Sequence, residues 1–103
     1  MITRLWRGWT TRENAQPYER LLRTEILPAI AERCLEDYQG ARLFRRDVEE
    51  GVEFLTILTF DSLEAVRLFA GEDAELAHVP EKARALLRRF DKRAQHYSDV
   101  PLK

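Results

Sequence analysis

Three groups of side chains in this chain are of types that could do chemistry. Arg7, Trp9 and Tyr18 form the first. If Arg7 faces a cavity, it is a cation among aromatic rings, suited to a phenolate, enolate or carboxylate through charge-assisted hydrogen bonds. The alternative is a surface arginine whose stem lies over Trp9. His96 and Tyr97 form the second group. As strand neighbours they point to opposite faces, so one of them could reach a cavity as proton acceptor or donor. The alternative is a histidine satisfied at a sheet or subunit interface. His78 stands alone, as a third candidate proton carrier or as a partly exposed loop residue.

Other chemistries lack their residues. No glycine-rich nucleotide loop, paired-cysteine motif or nucleophile-elbow motif is present. His78 and His96 have no companions at metal-ligand spacing, so no metal site is expected. Cys34 is the only cysteine, which rules out an internal disulfide. Nothing beside it in sequence activates a thiolate, so it reads as a packing or surface residue. The chain has 17 basic and 18 acidic residues. Such a balance makes nucleic acid and anionic membrane poor partners. The arginines and lysine at 88, 89, 92 and 93 read as a helix end and solvated face. No apolar stretch follows Arg4, Arg7 and Arg12, so no secretory leader is expected and a cytoplasmic location is the simplest reading. Phe54 to Phe60 is too short to span a bilayer.

The elements that must position these groups follow from periodicity. At 103 residues, 45% apolar and 34% charged, the chain reads as one globular domain over residues 1–97 with a tail at 98–103. Ile2 to Trp9 reads as a strand with Leu5, Arg7 and Trp9 on one face and Arg4, Trp6 and Gly8 on the other. Thr10, Thr11 and Asn14 offer helix-start chemistry, with Pro17 in the first turn. Tyr18, Leu21, Leu22, Ile26, Ala29 and Ile30 recur at helical spacing, and Pro28 should kink that helix. Cys34 to Gly40 reads as a connection. Ala41 to Val48 and Val52 to Phe60 make an antiparallel hairpin around Glu49-Glu50-Gly51.

Asp61 then caps a second helix, with Glu64 completing a capping box and Gly71 ending it. Glu72 to Val79 is a link. Pro80 and Glu81 open a last helix bearing Ala83, Leu86, Leu87 and Phe90, with Arg88 and Arg89 suiting its C-terminal dipole. A final strand lies within Asp91 to Tyr97. The order β-α-β-β-α-β, with an extra helix before the last strand, predicts an α+β ferredoxin-like antiparallel sheet with helices on one face.

Such a sheet normally has one polar face. Here Val52, Phe54, Leu58 and Phe60 share one face of the third strand and Leu55 and Ile57 the other. Trp6 and Trp9 divide in the same way. A contiguous apolar face of that kind exceeds the usual monomer patch. The expectation is a C2 homodimer whose sheets close a barrel-like core.

Three segments carry a resemblance: MITRLWRGWT, VEFLTILTFDSLEAVRLFAGED and VPEKARALLRRFDKRAQHY. Through them the chain resembles the antibiotic biosynthesis monooxygenase superfamily of dimeric α+β barrels, from Met1 to about Tyr97, and in particular its uncharacterised bacterial members. The superfamily includes cofactor-free quinone-forming monooxygenases, haem-degrading enzymes, isomerases and members without known activity. The resemblance implies a pocket between sheet and helices, lined here by Trp9, Tyr18, Phe69 and Tyr97, for a small aromatic or quinol-type ligand. It implies Arg7 as stabiliser of a substrate anion, His96 or His78 as proton carrier, and no cofactor. The alternatives are a non-catalytic binding or assembly domain, and haem binding through His78. The haem-degrading branch carries a tryptophan where this chain has Phe69, and a first-strand asparagine where it has Arg7.

Overall fold

The computed structural model describes residues 1–33 and 36–102. Cys34 lies outside the described residues. Strand β1 (Ile2–Thr10) leads to helix α1 (Arg12–Leu21), a π-helical turn (Leu22–Ile26) and α2 (Leu27–Arg33). Strands β2 (Tyr38–Val48) and β3 (Gly51–Phe60) form the hairpin, followed by α3 (Leu63–Ala70) and α4 (Glu81–Leu86). Two short strands, β4 (Leu87–Phe90) and β5 (Gln95–Ser98), complete the chain. The antiparallel sheet runs β2-β3-β1-β4, with β5 on β1 as well. It is the ferredoxin-like sheet the sequence predicts, with its last strand broken in two.

The register fixes the faces. Gly8 stands opposite Phe54, Leu5 opposite Ile57, and Arg4 opposite both Leu58 and His96. Val52, Phe54, Leu58 and Phe60 are buried beneath the helices. Phe54 packs with Tyr18, Leu21, Leu22 and Ala83, while Leu58 and Phe60 pack with Ala65 and Val66. The even-numbered residues of β1 therefore face the helices, and Arg7 and Trp9 face away.

Several local expectations need correction. Thr11 caps α1 by accepting from the Asn14 N–H at 3.1 Å. That places Pro17 inside the helix rather than in its first turn. Pro28 does act on the helix. Just upstream, the Leu27 N–H donates to Leu22 O, widening the turn before the ring that cannot donate. Strand β2 begins at Tyr38, so Gln39 and Gly40 belong to it and not to the connection. Ser62, not Asp61, caps α3, accepting from the Ala65 N–H at 3.1 Å. The Asp61 carboxylate instead accepts from Gln39 at 2.7 Å. Gly71 ends α3 with φ +94°, as expected.

The largest difference is at the last helix. It stops at Leu86, and Leu87–Phe90 is strand. Helical periodicity is overridden here by the free edge of β1 at Gly8–Thr10, which takes four residues as β4. Arg89 then stacks over the Trp9 ring at 3.7 Å and forks onto Glu50 at 2.6 and 3.1 Å. On the other face Phe90 meets Trp6, ring centroids 5.8 Å apart. Arg88 and Arg89 are thus strand residues, not a helix terminus.

The link from Gly71 to Pro80 has little regular structure but is pinned. Ala77 N–H donates to Lys92 O, Ala94 N–H to Glu75 O, and Arg93 grips Asp73 at 2.6 Å. These bonds hold the segment that carries His78 against the strand that carries His96. Among the described residues no helix is long and apolar enough to cross a membrane.

Candidate functional site

A cavity lies between the sheet and the helices. Arg4, Trp6, Thr56 and Leu58 form its floor, and Leu22, Ile26 and Leu27 its roof. Phe69, Ala83 and the segment from Ala77 to Pro80 close the sides. Its volume is about 90 Å³. With one water needing about 10–15 Å³ on this measure, the space takes about one aromatic ring. A broader groove lined by Ala29, Ile30, Arg33 and Lys82 runs along its outer side, sharing Ile26, Phe69, His78, Val79 and Pro80.

The cation in the cavity is Arg4. Its side chain reaches the floor because position 4 shares the parity of Trp6 and Gly8. Arg4 is 5% exposed. Its Nη1 donates to the Ala74 carbonyl at 2.5 Å and to His96 Nε2 at 2.9 Å. Phe69 is approached by two guanidinium groups, Arg4 at 5.5 Å and Arg33 at 4.9 Å from the ring centroid. Burial pulls the Arg4 pKa below its ordinary value, yet arginine keeps its proton at neutral pH.

His96 accepts from an arginine, so its Nε2 is unprotonated and the ring is neutral. Its pKa is lowered first by burial and then by the Arg4 charge, with Glu75 opposing. In the unfolded chain the ring takes its proton near pH 6.5. Between that pH and the lower folded value, the unfolded state binds more protons, so stability falls as pH drops through this window. Denaturant melts from pH 7.5 to 5 should show that loss, and His96→Gln should remove part of it. An unchanged slope in the variant rejects the assignment.

The candidate residues divide. His96 and His78 both come to the cavity side, and Phe69 lines the cavity. His78 Nε2 faces the Ala70 carbonyl at 2.6 Å; a carbonyl only accepts, so this nitrogen carries the hydrogen. Arg7 and Trp9 lie on the opposite sheet face. There Arg7 pairs with Asp91 at 3.0 Å and stacks over Trp9 at 5.1 Å. Trp9 carries two guanidinium groups, Arg7 and Arg89, against its ring and lines no part of the cavity. Tyr18 is on the helix side but packed edge-on against Phe54 at 4.9 Å, and burial pushes its hydroxyl pKa up. Tyr97 pairs with Thr3 on the far face and is 54% exposed. The expected Arg7-Trp9-Tyr18 group is therefore not assembled. Arg4 and Trp6 are the residues that sequence reasoning missed. The signal was the parity of β1, which one strand's sequence cannot orient.

No family model matches the chain, and no curated protein matches it. Solved structures do. A NIPSNAP family protein from Agrobacterium tumefaciens is 18% identical, with TM-score 0.65 over 99% of this chain and 98% of that one. A Mycobacterium tuberculosis protein is 14% identical, with TM-score 0.63 over 97% and 95%. A Bacillus cereus protein provisionally named an antibiotic biosynthesis monooxygenase is 13% identical, with TM-score 0.62 over 100% and 98%. The fold of this chain is thus the ferredoxin-like α+β fold of antibiotic-biosynthesis-monooxygenase-type proteins. At these identities the likeness speaks for the fold alone.

Proposed function

We propose that this chain is a homodimeric, monooxygenase-like domain that takes a small, one-ring phenol or quinol into the cavity between sheet and helices. The observation that carries this is a buried guanidinium, Arg4, on the floor of a cavity otherwise walled by Trp6, Phe69, Leu58, Ile26 and Val79. The rings and aliphatics suit an aromatic ligand. The guanidinium suits an oxygen that gains negative charge.

The reaction that fits is cofactor-free oxygenation. The phenol ionises, and its ring carbon reacts with dioxygen. One oxygen atom becomes the second quinone carbonyl and the other leaves as water, with the ring hydrogen and the phenolic hydrogen. Dioxygen is the oxidant throughout. Arg4 takes the anion-stabilising role that Arg7 was expected to fill. His78 is the proton acceptor, since its Nδ1 has no hydrogen-bond partner among the described residues while His96 Nε2 is occupied by Arg4. Oxygen-electrode assays with hydroquinones and monocyclic phenols should show uptake that Arg4→Met abolishes. No uptake across such a panel removes the enzymatic reading.

The second reading is a non-catalytic binding or assembly domain. The cavity size favours it, because two fused rings exceed about 90 Å³. It predicts ligand binding without oxygen uptake. Haem fits this site poorly, because His78 Nε2, the nitrogen that would meet the iron, is tied to the Ala70 carbonyl.

The open sheet face supports the dimer. Leu5, Leu55 and Ile57 lie there half-buried, with Phe44 40% exposed beside them. A second copy is the occupant we assign to that face.

A further inference from the structure

The arginines of this protein supply their own comparison. Arg7, Arg45, Arg46, Arg89 and Arg93 each hold a carboxylate at 3.0 Å or closer, and all five stand partly in solvent. Arg4 is far more buried than any of them and holds none among the described residues. Glu75, whose charge acts on neighbouring His96, reaches Arg93 instead at 3.5 Å. Removing an ion from water without a counter-ion costs several kcal/mol. The exposed arginines are paired where pairing contributes little, while the buried one, whose uncompensated charge costs most, has no carboxylate among the described residues.

What Arg4 leaves open has a definite shape. Both bonds recorded for it use Nη1, to Ala74 O and His96 Nε2. Nε and Nη2 have no hydrogen-bond partner among the described residues, and neither is a sealed, unsatisfied atom. That edge presents two parallel N–H groups, as Arg7 does to the two oxygens of Asp91. His96 fixes the orientation: it holds Nη1 from the side and cannot pair with the remaining edge.

We propose that the Nε–Nη2 edge of Arg4 is a carboxylate receptor, and that the ligand of this cavity is a one-ring aromatic monocarboxylate. The fork geometry matches two carboxylate oxygens and is half used by a single phenolate oxygen. A single cation neutralises one charge, so dianions such as phosphate are left uncompensated against Leu58, Ile26 and Phe69. The cavity takes one ring beside Arg4, and the adjoining groove takes any substituent beyond it. This proposal rests on the reading of the cavity as an aromatic-ligand site, and a hydroxybenzoate satisfies both.

Titration calorimetry of the full chain tests it with benzoate, benzyl alcohol, hydroquinone and inorganic phosphate. Benzoate should bind at least about tenfold more tightly than benzyl alcohol, its neutral near-isostere, and phosphate should not bind. Arg4→Met should erase the preference. Arg4→Lys, which keeps the charge without the fork, should fall between, with circular dichroism confirming that each variant is folded. Equal binding of benzoate and benzyl alcohol by the wild-type protein overturns the proposal, whatever the variants do. So does an Arg4→Met protein that folds and keeps its benzoate affinity. Hydroquinone binding with benzoate rejected removes the carboxylate and spares the aromatic site. Benzoate binding with no oxygen uptake from hydroquinones does the reverse: it supports the receptor and removes the oxygenase.

Discussion

Gly51→Ala should destabilise the protein by about 3 kcal/mol, a sum of backbone strain and a steric clash. Gly51 opens β3 just after the hairpin turn and has φ +144°, a conformation side chains rarely adopt. A Cβ built there falls 2.1 Å from the Thr10 carbonyl oxygen and 3.0 Å from Thr11 Cα. Both obstacles are backbone, at the point where β1 turns into α1, so neither can swing aside. The hairpin and the first helix would have to separate. For a domain of this size the thermal midpoint should drop by roughly 10–20 °C. Gly40→Ala is the control. Its φ is +125°, but nothing lies within 4 Å of the added carbon. It should cost only the conformational part, about 1–2 kcal/mol. Equal losses in the two variants would show that the close approach at Thr10 carries no energy.

That contrast marks what the sequence could convey. The Glu49-Glu50-Gly51 turn was legible because a glycine between two β-rich runs has few other uses. The faces of β3 were legible because alternation is a property of one strand. The facing of β1 was not. Its two parities hold Arg4, Trp6 and Gly8 against Leu5, Arg7 and Trp9, and each carries a tryptophan and an arginine. Only the pairing of Gly8 with Phe54 decides between them. The candidate site turned on that decision, so Arg7 stood where Arg4 belongs. The break after Leu86 was hidden for a related reason. Leu87 and Phe90 continue the helical spacing, but the free edge of β1 and the Trp9-Arg89-Glu50 stack lie far away in sequence. Local pattern fixes an element when its partners are near in sequence. Here the partners are about eighty residues distant.

Ile57→Asp should convert the proposed dimer to a monomer. Ile57 sits mid-sheet, between Leu5 on β1 and Arg42 on β2, facing away from the helices. The face is less bare than the sequence suggests, because Arg7 and Arg89 pack on Trp9 and leave it 4% exposed. What remains is a central strip of Leu5, Leu55, Ile57 and Phe44. These side chains are already about half covered in one copy, so burying the rest of four on each of two copies yields about 6–12 kcal/mol gross. Association costs about 4–15 kcal/mol, which is of the same order, so the strip sets where two copies would meet and the mass in solution decides how tightly. An aspartate at position 57 takes two carboxylates out of water into that interface, one from each copy. At several kcal/mol of lost binding, the dissociation constant should rise at least about a thousandfold. Light scattering at micromolar concentration should then read a wild-type dimer and a variant monomer. Leu68→Asp is the matched control. Leu68 is 80% exposed on α3, away from the open sheet face, so its change should leave the mass alone. A wild-type mass of 12.1 kDa at that concentration would leave the strip without a second copy and sink the dimer. Dissociation by Leu68→Asp with Ile57→Asp inert would keep a dimer but move it to the helical side.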